Sequence, residues 1–164
     1  MYKLFIILFT ITLFACSETR YYIVRHAEKE TTVTTTDPPL TKEGELHAKD
    51  LKYFLQGKKI KHIFSTNYVR TLATAEPTRQ FFGIKIEIYD PKNIGDLVEK
   101  LKKINDGNVL VVSHSNLVDD IVNGLTGEKK VNGDLPDSEY GMIYKVTQSA
   151  KKYKFEKMPL PKAG

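Results

Sequence analysis

The sequence predicts a three-layer αβα sandwich, an α/β fold with a mostly parallel sheet and an antiparallel edge. Strand-like apolar runs alternate with amphipathic helical segments along most of the chain. One run, residues 109–112, is an unbroken Val-Leu-Val-Val, which is typical of a strand buried on both faces. The last two segments are both strand-like, so the order is βαβαβαβαββ. The 164 residues, 41% of them hydrophobic, suffice for one domain of this kind.

The first half of the chain predicts two strand-helix units. Thr41 is a favourable N-cap for the first helix, and Gly57 follows its end. Pro77 lies inside the second helix, so we expect a kink or two helical pieces there. The expected elements are a strand over 20–24, a helix over 41–56, a strand over 60–64 and a helix over 68–82.

The second half predicts two further strand-helix units and a closing pair of strands. We expect a strand over 84–88, a helix over 93–104, a strand over 108–112 and a helix over 115–125. Strands over 140–147 and 153–155, joined by a turn at 148–150, should lie antiparallel at the sheet edge.

The amino terminus has the pattern of an export signal. A positive start is followed by an apolar run over residues 4–15, which is too short to span a bilayer. The run ends in Leu13-Phe14-Ala15-Cys16, which resembles the lipobox of bacterial lipoproteins, although Phe14 departs from the usual small or aliphatic residue. We expect a signal peptide over 1–15 and a lipidated tether over 16–19 that starts at Cys16. A globular domain over 20–164 should then be exported and anchored to a bacterial membrane. An ordinary secretory signal or a buried amino-terminal helix is the alternative.

The charge pattern argues against nucleic-acid binding. The formal net charge is +5, but the lysines are scattered along the chain and no aromatic-interleaved basic stretch accompanies them. Solvated helix faces and loop ends explain them, and a modest positive potential helps to recruit a phosphorylated anion. Cys16 is the only cysteine, so no disulfide within the chain is possible.

Two histidines follow apolar strands directly. Arg25-His26 follows the first strand and His114 follows the fourth, while Arg70 stands at the start of the helix after the second. The carboxyl ends of parallel strands lie at one edge of a sheet, so these side chains should share a cleft. Two guanidinium groups can clamp a phosphoryl group, and a neutral imidazole can attack its phosphorus. We expect His26 to be the nucleophile, Arg25 and Arg70 to bind phosphate, and His114 to contact the phosphoryl oxygens.

The ordered set of motifs resembles the histidine phosphatase superfamily, which has the phosphoglycerate-mutase-like fold. The resemblance covers most of residues 20–147, and Ala27 stands where the family usually has glycine, a variant that many phosphatase-type members carry. It implies a metal-independent enzyme without a cofactor, with a phosphohistidine at His26 and a phosphate pocket formed by Arg25, Arg70 and His114. Its motifs are Arg25-His26-Ala27-Glu28, Leu40-Thr41 with Gly44, Ser65 with Arg70-Thr71 and Thr74-Ala75, and Ser113-His114.

The family also uses a carboxylate that protonates the leaving oxygen, and the motifs do not assign it. Asp90 follows the third strand and is our preferred candidate, while Glu28, two residues past His26, is the other. We assign no role to His47 or His62, which lie within predicted regular elements.

We therefore expect a phosphoric monoester hydrolase that acts on a small phosphorylated substrate or a phosphoprotein. A phosphoglycerate mutase-type phosphotransferase is one alternative, since a phosphohistidine can return its phosphate to the bound substrate. A non-catalytic module that binds a phosphorylated ligand is the other, but such a module has no need of a nucleophilic histidine.

Overall fold

A computed structural model describes residues 18–150 and 152–163 of the chain. The predicted signal peptide and the lipidation site Cys16 lie outside these residues. The elements in chain order are β1 (Glu18–Arg25), α1 (Lys42–Leu55), β2 (Ile60–Ser65), α2 (Val69–Phe82), β3 (Ile86–Ile88), α3 (Ile94–Lys102), β4 (Asn108–Ser113), α4 (Val118–Thr126), β5 (Met142–Ser149) and β6 (Lys152–Pro159).

The strands form one mixed sheet, in the order β3-β2-β4-β1-β5-β6. Strands β3, β2, β4 and β1 are parallel to one another. Strand β5 pairs antiparallel with β1, and β6 pairs antiparallel with β5. The predicted α/β fold with an antiparallel edge is thus confirmed. Strand β4 is buried along its whole length at the centre of the parallel part, as its unbroken apolar run indicates.

Two apolar cores separate the sheet from its two helical layers. Leu51 and Leu55 of α1 and Ala75 of α2 pack with one face of the sheet. On the other face, α3 and α4 contribute the larger core, which includes Leu97 and Ile121. The alternation of inward and outward side chains along each strand supplies both cores at once. No helix among the described residues is long and apolar enough to cross a membrane.

Helix α2 is a single element that runs through Pro77 without a break. Of our two expectations, a kink or two helical pieces, the structure excludes the second. Proline removes one intrahelical hydrogen bond, but Ala75 and Thr78 on either side are fully buried, so packing holds the helix together. Leu46 of α1 is 58% exposed although it is apolar. It lies two residues from both Gly44 and Ala48, which are buried, and a two-residue step turns a side chain to the opposite face of a helix.

The sheet is longer at its edge than the sequence predicts. Strand β1 begins at Glu18, because Glu18 and Thr19 continue the antiparallel ladder with Ser149 and Gln148 of β5. Strand β6 pairs with β5 along all eight of its residues. Two residues that we assigned to the tether therefore belong to the sheet.

Candidate active site

Two neighbouring strands bring the two catalytic histidine candidates together. Strands β1 and β4 are adjacent and parallel, with Arg25 opposite Ser113. The backbone N–H of His26 donates to the Ser113 carbonyl over 2.8 Å, which continues the ladder one residue past the strand. The imidazole centroids of His26 and His114 are 5.6 Å apart, and the side chains are largely buried. The juxtaposition predicted from the sequence is present.

The His26 imidazole is oriented by its own loop. Its Nδ1 donates to the Ala27 carbonyl over 2.8 Å, and this tautomer leaves the lone pair on Nε2. Burial lowers the pKa of His26 to about 3, and the nearby guanidinium groups of Arg70 and Arg25 act in the same direction. The ring is therefore neutral at physiological pH, with one nitrogen free to act as a nucleophile.

Arg25 is held by the loop that precedes β5. Its Nη1 donates to the carbonyls of Pro136 and Asp137, both at 3.0 Å, and to that of Glu139 at 3.3 Å. Its guanidinium carbon lies 4.2 Å from the centroid of the Tyr140 ring. The Nε atom of Arg25 is buried and has no hydrogen-bond partner among the described residues.

Arg70, in the first turn of α2, is fixed from two sides. Its Nη1 donates to Asp37 Oδ1 over 3.1 Å, and Nη2 lies 3.5 Å from Nδ1 of His114. The same Asp37 carboxylate accepts the backbone N–H of Val69, which joins the loop before α1 to the start of α2. The Nε atom of Arg70 is also buried and without a partner within the described part of the chain.

His114 is connected to the loop after β2. Its Nε2 lies 2.8 Å from Thr66 Oγ1, and the Tyr68 ring packs edge-on against the imidazole with centroids 5.0 Å apart. With Arg70 donating to Nδ1, His114 Nε2 carries the hydrogen and donates to Thr66. Burial lowers the pKa of His114, and together with the guanidinium groups of Arg70 and Arg25 it brings this pKa to about 4. Both imidazoles are thus neutral at pH 7 in the unliganded protein.

A buried threonine joins the nucleophile loop to α2. Thr74 Oγ1 accepts the N–H of Ala27 over 2.9 Å and donates to the Arg70 carbonyl over 2.7 Å. Both Ala27 and Thr74 are fully buried. This side chain therefore sets the position of the residue after His26 relative to the helix that carries Arg70.

The two carboxylate candidates lie on different sides of the site. Asp90 Oδ1 accepts the backbone N–H of Lys92, which closes the turn after β3, and its side chain lines a cavity between β2 and α3. Glu28 is exposed and lines another cavity, of about 500 Å³, which Tyr140 also lines. The Tyr140 ring is tilted against His26, with centroids 6.3 Å apart. Neither carboxylate is hydrogen bonded to a site histidine within residues 18–150 and 152–163.

Several residues that position the site were not identified from the sequence as site residues. They lie in loops far apart in the chain, so only the fold shows their contacts. Asp37 and Tyr140 contact the two arginines, and Thr66 contacts His114. The histidines without an assigned role lie elsewhere: His62 pairs with Asp106 over 2.8 Å. His47 is half-buried in α1, where burial lowers its pKa.

Across the described residues no group of three or more His, Cys, Asp or Glu side chains is arranged to hold a metal ion.

One known protein family matches part of the sequence. The model of the histidine phosphatase superfamily (branch 1) matches residues 21–91. That segment contains Arg25, His26 and Arg70, whereas His114 lies beyond it. The matched segment is less than half of the chain. A search of curated proteins found no match to the chain.

Several solved structures share the fold over most of the chain. The protein histidine phosphatase SixA, complexed with tungstate, has a TM-score of 0.70 at 20% identity, over 85% of this chain and 96% of that one. A putative alpha-ribazole-5'-P phosphatase from Escherichia coli has a TM-score of 0.70 at 14% identity, over 88% and 97%. A phosphoglycerate mutase from Bacillus anthracis has a TM-score of 0.61 at 16% identity, over 87% and 93%. At these identities the similarity establishes the common fold.

Proposed function

We propose that this protein is a metal-independent phosphomonoesterase that acts through a phosphohistidine on His26. The observation that carries the proposal is the pair of buried Nε–H groups on Arg25 and Arg70, which have no partner in the described structure. A buried donor without a partner costs about 1–3 kcal/mol, and a bound phosphoryl oxygen would satisfy each one. The two cations flank a neutral imidazole, which is the arrangement that an anionic electrophile and a nitrogen nucleophile require.

In the first step, Nε2 of His26 attacks the phosphorus atom. An N–P bond forms, the bond between phosphorus and the ester oxygen breaks, and the leaving oxygen takes a proton from a carboxylic acid. In the second step, water attacks the same phosphorus atom. The N–P bond breaks, the water gives up a proton to the carboxylate, and inorganic phosphate leaves while His26 returns to its neutral form. Arg25 and Arg70 stabilise the charge on the phosphoryl oxygens in both steps. His114 contributes once its Nε2–H turns from Thr66 Oγ1 to the bound phosphoryl group.

We assign the proton donor to Glu28, in place of our initial preference for Asp90. Both carboxylates accept a hydrogen bond, Asp90 from the Lys92 N–H and Glu28 from the Thr41 hydroxyl. The cavities that they line differ, because that of Asp90 includes neither Tyr140 nor a site histidine. Glu28 follows the nucleophile by two residues and shares a cavity with Tyr140, whose ring is next to His26. A leaving group in that cavity would be within reach of the Glu28 carboxyl.

The named neighbours support a phosphoryl-transfer function of this kind. SixA is described as a protein histidine phosphatase that binds tungstate, a tetrahedral oxyanion like phosphate. Other neighbours are described as an alpha-ribazole phosphatase and a phosphoserine phosphatase. The substrate class that we propose is therefore a small phosphate monoester or a phosphorylated protein. The length of the chain does not distinguish a hydrolase from a mutase. The alignment with the phosphoglycerate mutase covers 87% of this chain and 93% of that one.

Hydrolysis of para-nitrophenyl phosphate by the purified full-length chain in detergent, with EDTA present, tests the mechanism. We expect His26→Ala to abolish turnover, whereas His62→Ala, at a histidine paired with Asp106, should keep it. Equal phosphate release by the His26→Ala variant and the wild type would exclude the phosphohistidine mechanism. Binding of vanadate without turnover by the wild type would indicate a binding module, and transfer of the phosphoryl group to an added alcohol in preference to water would indicate a mutase.

The role of Arg70 in binding the phosphoryl group is tested separately by Arg70→Lys. Lysine keeps the charge but loses the guanidinium geometry that contacts Asp37 and His114. We expect kcat/KM to fall by about 10²–10³-fold, as for loss of a preorganised oxyanion donor. Arg79→Lys on the same helix is the control, since Arg79 pairs with Glu76 on the surface. A similar loss in both variants would contradict a specific role for Arg70.

The donor assignment is tested by Glu28→Gln and Asp90→Asn. Loss of the true donor should reduce turnover of a substrate with a poor leaving group, such as an alkyl phosphate, far more than turnover of para-nitrophenyl phosphate. We expect this selective loss in Glu28→Gln only. The same selective loss in Asp90→Asn would restore Asp90 as the donor.

We also propose that the protein is exported and anchored to a bacterial membrane through a lipid on Cys16. The basis is the sequence pattern alone: the apolar run over 4–15 and the lipobox-like Leu13-Phe14-Ala15-Cys16. Growth of expressing cells with a clickable fatty acid should label the wild type and not Cys16→Ser. Unchanged labelling of the variant would exclude lipidation at this cysteine.

A further inference from the structure

The end of the sheet opposite the active site is where the described chain begins. Glu18, the first residue of β1, is two residues beyond Cys16, so the two Cα atoms are at most about 7 Å apart. Strand β1 has eight residues. At about 3.3 Å per residue, Arg25 at its other end lies roughly 25 Å further away. A lipid on Cys16 therefore holds the amino-terminal end of the sheet at the bilayer.

The last turns of α1, α2 and α3 and the β5–β6 turn lie at this same end, since each helix runs antiparallel to the strand before it. The contacts confirm this placement. The Thr19 hydroxyl donates to the Ile104 carbonyl just after α3, and Asn108 accepts the Arg20 N–H. The Asn108 side chain also donates to the Lys58 carbonyl in the loop after α1.

This end carries lysines that lack carboxylate partners. None of them forms an ion pair within the described part of the chain. Of the acidic side chains at this end, Glu18 pairs with Arg20 and Asp106 pairs with His62. Glu99, in the last turn of α3, forms no ion pair among the described residues and offsets one of the lysine charges. The lysines are Lys52, Lys58, Lys59, Lys102, Lys103 and Lys152.

Exposed aromatic rings lie among these lysines. Tyr53 in the last turn of α1 and Phe81 in the last turn of α2 are each 51% exposed. Lys52 Nζ lies 3.3 Å from the centroid of the Tyr53 ring and 5.9 Å from that of Phe81. Aromatic rings next to lysines are the combination found at membrane interfaces, where the rings lie at headgroup level and the ammonium groups contact anionic lipids.

We propose that this surface, which we call the basic end, binds the headgroups of anionic phospholipids and holds the active site away from the bilayer. It consists of the six lysines with Tyr53 and Phe81. The proposal rests on the anchoring at Cys16 proposed above and is independent of the phosphatase chemistry. Its consequence is that phosphorylated substrates approach from the side of the protein that faces away from the membrane.

The absence of tryptophan from the sequence makes the orientation measurable. The full-length chain, with either Tyr53→Trp or Val33→Trp, is reconstituted into vesicles of equal parts phosphatidylglycerol and brominated phosphatidylcholine. Val33 is 44% exposed in the loop between β1 and α1, at the opposite end of the sheet. Bromine quenches only tryptophan that lies close to the bilayer. We expect at least about twofold stronger quenching for Tyr53→Trp, because only this position is at the interface.

Charge is tested in the Tyr53→Trp background. The triple variant Lys52→Gln/Lys58→Gln/Lys59→Gln should lose most of the quenching, whereas Lys42→Gln/Lys49→Gln/Lys162→Gln, with the same loss of charge away from the basic end, should retain it. Equal quenching of the two tryptophan variants, stronger quenching of Val33→Trp, or equal effects of the two triple variants would overturn the proposal. Hydrolysis of para-nitrophenyl phosphate in the same vesicles reports separately on the proposed function.

Discussion

Thr74→Val removes one hydroxyl that joins the nucleophile loop to α2. The hydroxyl accepts the Ala27 N–H over 2.9 Å and donates to the Arg70 carbonyl over 2.7 Å, in a fully buried setting. Valine has nearly the same volume but accepts no hydrogen bond, so the Ala27 N–H would be buried without a partner. An orphaned buried donor costs about 1–3 kcal/mol. For a chain of this size that corresponds to a decrease in Tm of roughly 2–10 °C.

The chain offers a matched control one helical turn later. Thr78 lies on the same helix and is equally buried, but its hydroxyl has no hydrogen-bond partner among the described residues. Thr78→Val removes an unsatisfied polar group, so we expect the free energy of unfolding to stay the same or rise. Urea unfolding followed by circular dichroism measures both variants against the wild type.

Measurement of kcat distinguishes a loss of His26 positioning from a loss of protein stability. Because the Ala27 N–H follows the nucleophile directly, its release should misplace His26 and reduce kcat on the order of tenfold at a temperature where the variant is folded. Thr78→Val should keep the wild-type kcat. Equal losses of stability in the two variants would refute the assignment of this hydrogen bond as the link between the loop and α2.

Two further predictions concern backbone packing and pH. A Cβ added at Gly44 would collide with the Glu28 carbonyl, so Gly44→Ala should destabilise by about 1–3 kcal/mol in urea unfolding. Gly95→Ala, where the nearest atom is 3.8 Å away, should be neutral or stabilising, and a similar loss in both would contradict the steric account. The pKa values of His26 and His114 are lowered to about 3 and about 4, so the unfolded chain takes up protons first as the pH falls. Stability should be fully present above about pH 6.5 and should fall as the pH decreases toward these values. A pH dependence of the urea midpoint that is unchanged in the His26→Gln/His114→Gln variant would disprove this origin.

The fold and the central pair of histidines were predictable because both depend on local pattern. The period of apolar residues identifies strands and helices, and a parallel sheet places the residues after each strand at one edge. For this reason His26 and His114 could be expected to meet before any contact was seen, and they lie with their rings 5.6 Å apart. Pro77 does not divide α2 into two helices, since propensity describes an isolated helix and burial of the neighbouring residues outweighs it.

The contacts that hold the two arginines could not be predicted from the sequence pattern. Asp37 reaches Arg70 across 33 positions, and the carbonyls of residues 136–139 reach Arg25 across more than 110. Lysines that are scattered in the sequence converge at one end of the sheet, beside Tyr53 and Phe81, because three helices end there. Periodicity records which face of an element is buried, but it carries no information on how distant loops pack. The sequence by itself thus determined the fold class and the nucleophile candidate. The tertiary structure decided how the two arginines are held, because those contacts depend on loop packing between residues far apart in the chain.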